Sequence, residues 1–233
     1  MPGLLCDAGL WRHQLHALSP VADCAVADLT LDDSLEVMAA RLMEGLPRQF
    51  SVVALSMGGY VAFELLRQAP GRVMRLCLMD TSARPDTTAA ARRRRGLMAL
   101  VARGGRFHGV TPRLLADLLH PDRIGDAALV HEISGMADRL GKAVYLRQQA
   151  AILARPDSRP DLPGIRVPTL VAVGEADALT PPALASEIAA GIPGALLRTM
   201  AGAGHLPPLE QPEQVSAMLL EWLGATSATL PAS

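Results

Sequence analysis

Two kinds of hydrophobic pattern alternate along the first and the last third of the chain. Short apolar runs typical of strands lie at 24–29, Phe50–Leu55, 74–79, 169–173 and 195–200. Segments with apolar residues at helical spacing lie at 11–18, 34–45 (with Ser34 as a candidate N-cap), Met57–Gln68, 181–190 and 213–223. Continuously apolar strands separated by helices are typical of a parallel sheet covered on both faces. The pattern therefore predicts an α/β fold with a mostly parallel sheet.

The middle of the chain departs from this alternation. Residues 84–155 contain no strand pattern, and helical patterns cover Thr88–Ala102, 111–119, 126–140 and 142–154. The simplest account is one α/β domain, formed by residues 1–83 and 156–225, that carries a helical insertion at 84–155. The last residues, 226–233, are predicted to be a flexible tail.

The length and composition of the chain argue against several classes of protein. A chain of 233 residues, half of them hydrophobic, is long enough for one domain with a substantial core. The net charge of −1 and the aromatic content of 3% give no basis for binding nucleic acid or an anionic membrane. No apolar run approaches the ~20 residues that span a bilayer, and the N-terminus lacks a basic signal region. We therefore expect a cytoplasmic protein.

The three cysteines give no sign of a disulfide framework or a metal site. Cys6, Cys24 and Cys77 cannot all pair with one another, and their spacing matches no metal motif. We expect all three to be small buried side chains in a reducing compartment.

The run 54–59, Ala-Leu-Ser-Met-Gly-Gly, carries the first candidate for chemistry. Ser56 lies between the predicted strand Phe50–Leu55 and the predicted helix Met57–Gln68, with a small residue two positions away on either side. This is the sequence form of a nucleophile elbow, a sharp turn that presents the serine hydroxyl at the carboxyl end of a strand. The amide of Met57, at the start of the helix, is a candidate donor to an oxyanion. An ordinary strand-to-helix turn is the alternative interpretation.

A serine nucleophile needs a histidine base that a carboxylate orients, and two later loops offer both groups. Asp177 follows the predicted strand 169–173, and His205 follows the predicted strand 195–200. Because the carboxyl ends of parallel strands meet at one edge of a sheet, we expect Ser56, Asp177 and His205 to lie close together.

Each of these residues also has a structural alternative. Asp80, directly after the predicted strand 74–79, is a rival for the part of the acid. Asp177 on its own could be a residue at a helix N-terminus, and His205 on its own could be an ordinary loop histidine. The coincidence of serine, acid and histidine in that order, each after a strand, favours the catalytic interpretation.

Three segments of the sequence resemble the α/β-hydrolase superfamily, specifically its branch of small esterases, enol-lactonases and C–C hydrolases. They are 55–59 (Leu-Ser-Met-Gly-Gly), 174–181 (Gly-Glu-Ala-Asp-Ala-Leu-Thr-Pro) and 204–213 (Gly-His-Leu-Pro-Pro-Leu-Glu-Gln-Pro-Glu). The resemblance extends from the first residues to about Leu223. It implies that Ser56 is the nucleophile, Asp177 the acid and His205 the base. It also implies that the helical insertion is a cap over the pocket and that no metal or organic cofactor is needed.

The chain departs from the family pattern near its N-terminus. The family's oxyanion loop follows a strand of its own, whereas the matching run here is 2–7, Pro-Gly-Leu-Leu-Cys-Asp, with Leu4 as the expected amide donor. The strand that leads into this loop, and an edge hairpin before it, are missing from the sequence. We therefore expect a member truncated at its N-terminus, with the N-terminal strands missing and a gap beside Phe50–Leu55 that another chain or segment could fill. At the elbow, Ala54 replaces the first glycine and is small enough for the turn.

Together these features favour hydrolysis of a small or medium carboxylic ester through an acyl-enzyme on Ser56. The same triad would serve a lactone, a thioester or a C–C bond next to a carbonyl, or an acyltransferase, and a non-catalytic binding protein could keep the fold. The expected partner is a small ester-like molecule, not nucleic acid or a membrane, and a homo-oligomer stays open. The basic run 92–95 is predicted to be a solvated helix face, with docking of an acidic carrier protein or a substrate carboxylate as the alternative.

Overall fold

Four parallel strands form the sheet of the protein, seen in a computed structural model that describes residues 1–104 and 107–224. The strands are β1 (Phe50–Leu55), β2 (Val73–Met79), β3 (Thr169–Gly174) and β4 (Leu196–Met200), and they lie side by side in that order. Leu55 is paired with Met79, and Met79 is paired with Ala172. The carboxyl ends of neighbouring strands therefore lie next to one another, and the loops that follow them meet at one edge of the sheet.

Helices connect and cover these strands. The α-helices are α1 (Arg12–Leu18), α2 (Leu35–Gly45), α3 (Met57–Gln68), α4 (Thr88–Ala102), α5 (Pro112–Leu118), α6 (Ala127–Leu153), α7 (Pro182–Gly191), α8 (Pro207–Glu210) and α9 (Pro212–Gly224). Short 3-10 segments lie at Ala8–Trp11, Pro70–Arg72, Pro121–Arg123 and Arg159–Gly164. The order of strands and helices outside 84–155 confirms the predicted α/β fold.

Among the described residues, one large hydrophobic core lies on each face of the sheet. Val52 and Leu78 face the first core, where α2, α3 and α7 contribute buried side chains. Cys77 and Met79 alternate with Leu78 along β2 and face the second core, to which α1 and α9 contribute. Because successive side chains of a strand point to opposite faces, continuously apolar strands are stable only when both faces are covered.

Local sequence signals set the ends of several helices. Ser34 is the N-cap of α2, as predicted, and its Oγ accepts a hydrogen bond from the Val37 amide at 3.5 Å. Thr87 caps α4 in the same way through the amide of Ala90. Gly141 has a φ of 72° and kinks α6, which agrees with the prediction of separate helical patterns on either side of this residue.

One predicted strand is wrong, and one cysteine lies in an unexpected place. The run 24–29 forms no strand, and the described sheet contains β1 to β4 alone. An apolar run becomes a strand only when its backbone groups pair with a neighbouring strand. Cys24 within this run is exposed, whereas Cys6 and Cys77 are buried as expected. Burial raises the pKa of the Cys6 and Cys77 thiols to about 12.

The N-terminal residue lies beside the outer edge of β1. Its amino group donates to the carbonyl of Val53 at 2.7 Å, and its own carbonyl accepts from the amide of Leu55 at 3.1 Å. Met1 thus occupies the hydrogen-bonding position next to the carboxyl end of β1. Over the described ranges, β2 is the one strand that pairs with β1.

The stretch between β2 and β3 contains α4, α5 and α6 and, in the residues that the structure covers, no strand. This agrees with the helical patterns read from 84–155, and the division into a core and a cap stays a prediction. The predicted tail, 226–233, lies outside the described residues. In the part of the chain that is described, every helix is too short or too polar to cross a membrane.

Candidate active site

Ser56 occupies a strained turn between β1 and α3. Its φ of 54° and ψ of −116° lie in a region that residues with a side chain rarely adopt, at a cost of about 1–3 kcal/mol. The surrounding backbone holds the turn: the Ser56 amide donates to the Met79 carbonyl at 3.0 Å, and the Thr81 hydroxyl donates to the Ser56 carbonyl at 2.8 Å. A side chain on Gly58 would overlap the Met1 carbonyl, so the turn needs a small residue there. These contacts hold Ser56 in its strained conformation.

A continuous hydrogen-bonded chain joins Ser56 to two residues that follow other strands. His205 Nε2 lies 2.9 Å from Ser56 Oγ, although the two residues are 149 positions apart in the sequence. The other ring nitrogen, Nδ1, lies 2.8 Å from Oδ2 of Asp177. His205 and Asp177 are both buried, whereas Ser56 is partly exposed. This network assigns the Nδ1 proton to the bond with Asp177 and leaves Nε2 to accept the Ser56 proton.

The environment of Asp177 favours its ionised form. Oδ1 accepts hydrogen bonds from the amides of Leu179 and Thr180 at 2.8 and 3.0 Å, and Oδ2 accepts from the Thr180 hydroxyl at 2.6 Å. Burial alone would raise the pKa of this carboxyl group. The His205 ring and the Thr180 donors outweigh burial, and the pKa of Asp177 lies well below its usual value. Asp177 is therefore a carboxylate that can orient the imidazole.

The loops that carry Asp177 and His205 are held in contact by their glycines. A side chain on Gly174, at the end of β3, would overlap the carbonyl oxygen of Gly204. The Ala176 amide donates to the Ala203 carbonyl at 3.0 Å and links the same two loops. The absence of side chains at this contact brings the acid within hydrogen-bonding distance of the imidazole.

Glu210, a buried residue of α8, fixes the backbone on both sides of His205. Its Oε1 accepts from the amides of Gly204 and Leu206 at 2.9 and 3.1 Å. Its Oε2 accepts from the amide of His120 at 2.7 Å, at the end of the α5 segment. Burial raises the pKa of the Glu210 carboxyl group, and these amides partly counter the effect. One side chain thus ties the histidine loop to the helical insertion.

The N-terminal loop lies against the nucleophile. A Cβ atom on Gly3 would lie 3.3 Å from the Cβ of Ser56. The next turn is held from α6, because the Leu5 amide donates to Oε1 of the buried Gln148 at 2.9 Å. Within the described part of the chain, the amides of Leu4 and Met57 have no acceptor. Both candidate oxyanion donors therefore belong to segments that border Ser56.

Asp80, the rival acid, lies in the same region but makes different contacts. Its Oδ1 accepts a hydrogen bond from the Gly174 amide at 2.8 Å, and His205 is bonded to Asp177 instead. Asp80, Asp177 and His205 are the one group in the described ranges with the ligand atoms of a metal site, all within 4.8 Å of one another. Both nitrogens of His205 already bond to Asp177 and Ser56, so a metal ion here would have to break the chain.

The structure brings together the three side chains that the sequence singled out, Ser56, Asp177 and His205. Thr180 and Glu210 also contribute to the site, although neither was predicted from the sequence. Both residues lie in the segments that resemble the family, 174–181 and 204–213. Their spacing from Asp177 and His205 is therefore the signal from which their roles could be predicted.

Known proteins share this architecture. A sequence model of the alpha/beta hydrolase family matches residues 7–218. The chain belongs to the alpha/beta hydrolase family. It is 31% identical over 197 residues to a pimeloyl-(acyl-carrier protein) methyl ester esterase of Aromatoleum aromaticum, an alignment that covers 80% of this chain and 78% of that protein.

Solved structures of alpha/beta hydrolases agree with this assignment. A thermophilic esterase from Thermogutta terrifontis is 30% identical, with a TM-score of 0.84, and the alignment covers 95% of this chain and 87% of that chain. The enol-lactonase from Burkholderia xenovorans LB400 has the same fold, with a TM-score of 0.81 at 24% identity over 95% and 88% of the two chains. The family and these relatives support a carboxylic ester hydrolase.

Proposed function

We propose that this hydrolase cleaves small or medium carboxylic esters through an acyl-enzyme on Ser56. The observation that carries the proposal is the chain Ser56–His205–Asp177, with contacts of 2.9 and 2.8 Å. Serine becomes a useful nucleophile only when a base removes its proton, and the base works best when a carboxylate holds its tautomer. The buried pair of His205 and Asp177 meets both conditions at one hydroxyl group.

In the proposed first half-reaction, Ser56 Oγ attacks the ester carbonyl carbon while its proton moves to His205 Nε2. Asp177 stabilises the imidazolium that forms and stays ionised throughout. The tetrahedral intermediate then collapses: the C–O bond to the alcohol breaks, and His205 returns the proton to the leaving oxygen. The alcohol departs, and the acyl group remains as an ester on Ser56.

Water completes the proposed cycle. His205 removes a proton from a water molecule as its oxygen attacks the acyl carbon, and a second tetrahedral intermediate forms. Its collapse breaks the bond to Ser56 Oγ, which recovers the proton from His205, and the carboxylic acid leaves. The same residue thus acts as base and acid in both halves, as the position of Nε2 next to Oγ allows.

The amides of Met57 and Leu4 are the proposed donors to the oxyanion of both intermediates. Met57 is the first residue of α3, where the helix dipole favours negative charge. Leu4 lies next to Gly3, which lies close to Ser56, and its loop is fixed through the bond of Leu5 to Gln148. Each donor of this kind contributes about 3–4 kcal/mol to the stabilisation of the transition state.

Rates for a series of p-nitrophenyl esters of increasing acyl length, measured on the wild type and on Ser56→Ala, test the proposal. We expect hydrolysis by the wild type with an optimum at short or medium length, and a loss of about 10⁴-fold or more in Ser56→Ala. Ser186→Ala, an exposed serine in α7, is the matched control and keeps the wild-type rate. The methyl ester of a pimeloyl thioester, suggested by the named relatives, extends the series to a longer acid.

Labelling with a fluorophosphonate probe separates a reactive serine from an inert one independently of substrate choice. We expect one label per chain in the wild type, at Ser56, and none in Ser56→Ala. Equal hydrolysis by both proteins, or equal labelling of both, would rule out Ser56 as the nucleophile.

A further inference from the structure

Asp80 is a fully buried acidic residue that the proposed reaction does not use. It directly follows β2, and its amide donates to the Ala172 carbonyl at 3.0 Å. Its φ of 46° lies in the left-handed region, which asparagine and aspartate tolerate better than most residues. A buried acid on a strained backbone beside the triad needs a physical explanation.

The two oxygens of Asp80 have unequal surroundings. Oδ1 accepts from the Gly174 amide at 2.8 Å, whereas Oδ2 is buried and, as an acceptor, has no partner among the described residues. The carboxylate of Asp177 lies close by, within the 4.8 Å group that also contains His205. An acceptor without a donor is costly in the interior, whereas a protonated carboxyl group can donate to a neighbouring carboxylate. A hydrogen bond between the Asp80 and Asp177 carboxyl groups is among the effects that raise the pKa of Asp80.

The pair of carboxyl groups cannot both be ionised at low cost, because like charges so close together in a buried site repel. Asp177 accepts hydrogen bonds from two amides, one hydroxyl and one imidazole, whereas Asp80 accepts from a single amide. The carboxyl group that accepts more hydrogen bonds keeps the negative charge. The proton therefore resides on Asp80. Burial, followed by the charge of Asp177, raises the pKa of Asp80 well above its usual value, in agreement with this assignment.

Other titratable groups near Asp80 do not reverse this assignment. Glu210 of α8 is a second acid and further disfavours a charge on Asp80. Cys77 of β2 is a thiol whose pKa is raised to about 12 by burial, so it carries no charge at neutral pH. His205 faces the pair with its Nδ1 bonded to Asp177.

We propose that Asp80 is a positioning residue, a neutral carboxylic acid that accepts from the Gly174 amide and donates its proton to the Asp177 carboxylate. This inference rests on the proposed function of Asp177 as the acid of the triad. Asp80 would hold the Asp177 carboxylate by a further hydrogen bond and would connect it, through the Gly174 amide, to the end of β3. It would also withdraw negative charge from the oxygen that faces His205, and so limit how strongly the imidazolium form is favoured.

Two substitutions at Asp80 separate a neutral donor from a charged or merely space-filling group. Asp80→Asn keeps an acceptor for Gly174 and a donor for Asp177, and asparagine suits the left-handed backbone. Asp80→Leu has a similar shape and no donor. Leu78→Ala, at a buried residue of β2 in the first core, is the control for loss of stability alone. The readouts are kcat and the acid limb of the pH profile of kcat/KM.

We expect Asp80→Asn to retain most of the wild-type kcat with its acid limb unmoved. We expect Asp80→Leu to lose about tenfold in kcat. The acid limb of its kcat/KM profile should move to higher pH by about half a unit or more, because an Asp177 carboxylate that no longer accepts a proton from Asp80 favours the imidazolium more strongly. Leu78→Ala leaves the limb in place. A limb that moves to lower pH in Asp80→Asn would mean that a charge was removed and would overturn the proposal. Wild-type kcat and pH profile in Asp80→Leu would also overturn it.

A measurement without turnover keeps the proposal testable if Asp80→Leu does not fold or if the ester is not the substrate. The infrared difference spectrum of wild type minus Asp80→Asn at neutral pH should contain the carbonyl band of a protonated carboxylic acid. A spectrum that contains only the bands of an ionised carboxylate at Asp80 refutes the proposal. Failure of the proposed function would instead appear as equal rates in wild type and Ser56→Ala, with the infrared result unaffected.

Discussion

Gly174 lies directly against the carbonyl oxygen of Gly204, and no side chain fits between them. Gly174 ends β3, three residues before Asp177, and Gly204 immediately precedes His205. The distance between the acid and the imidazole is therefore set by the contact of two backbones, which deform much less readily than side chains.

Gly174→Ala should separate these two loops. Because backbone atoms must move to admit the methyl group, we expect a loss of about 2 kcal/mol or more in the free energy of unfolding. A displacement of His205 by about 1 Å should lower kcat by about a hundredfold. Gly164→Ala, where the methyl group meets open space, is the control in urea unfolding and ester hydrolysis. Equal effects of the two substitutions would contradict the role of this contact.

Ser56 should be a position at which glycine is more stable than alanine. The φ of 54° strains any residue that has a Cβ atom but does not strain glycine. We expect Ser56→Gly to exceed Ser56→Ala by about 1–2 kcal/mol in the free energy of unfolding, with both variants inactive.

The same pair of substitutions at Ser186, an exposed residue in the middle of α7, should give the opposite order of stability. Alanine is favoured over glycine there by about 1 kcal/mol, because glycine loses more backbone conformational entropy in a helix. Thermal unfolding of all four variants checks the prediction, which fails if alanine is the more stable residue at both positions.

Glu210 should be needed for both stability and turnover. Glu210→Ala leaves the amides of Gly204, Leu206 and His120 without their acceptor, and we expect a loss of about 3 kcal/mol in unfolding free energy. Glu210→Gln should have an intermediate effect, because one oxygen remains while an NH₂ group faces the His120 amide.

Glu213→Gln changes an exposed acid at the start of α9 and is the control for Glu210→Gln. We expect it to stay within about 0.5 kcal/mol of the wild type. Urea unfolding and kcat are the measurements, and a Glu210→Ala variant as active and stable as Glu213→Gln would show that Glu210 does not hold the histidine loop.

The contribution of Asp177 to stability should depend on pH in a defined direction. The pKa of its carboxyl group is lower in the folded protein than its ordinary value of 3.8. As the pH falls, the unfolded chain takes up the proton first, so the contribution is complete above the ordinary pKa and is lost as the pH falls through the folded value.

Unfolding free energies of wild type and Asp177→Asn, measured from neutral to acid pH, check this expectation. The advantage of the wild type should be constant down to about pH 4 and should then diminish. An advantage that stays the same into strong acid would mean that the ionised form of Asp177 is not favoured by the fold.

Most elements could be predicted from the sequence because their signals are local. The spacing of apolar residues located the helices, and the side chain of Ser34 located the start of α2. The run 24–29 shows the limit of such reasoning. Its composition suits a strand, but a strand exists only where a neighbouring edge pairs with it, and the sequence does not reveal which edges are available.

The choice between Asp80 and Asp177 shows the same limit within the site. Both residues follow buried strands, and both carboxyl groups lie in the same small region. Only the structure shows that the Gly174 amide binds Asp80, whereas Thr180 and His205 bind Asp177. The bonds to Gly174 and His205 join residues that are 94 and 28 positions apart in the sequence, which no local pattern encodes.

The sequence by itself determined the α/β class, the elbow at Ser56 and the order of serine, acid and histidine after successive strands. These features depend on periodicity and on the steric needs of one turn, and both act over a few residues. The tertiary structure alone decided which acid faces His205, how close the two loops lie and how the N-terminal loop is held beside Ser56. Those outcomes depend on how the carboxyl ends of the strands align across the sheet, and each is fixed by hydrogen bonds between distant parts of the chain.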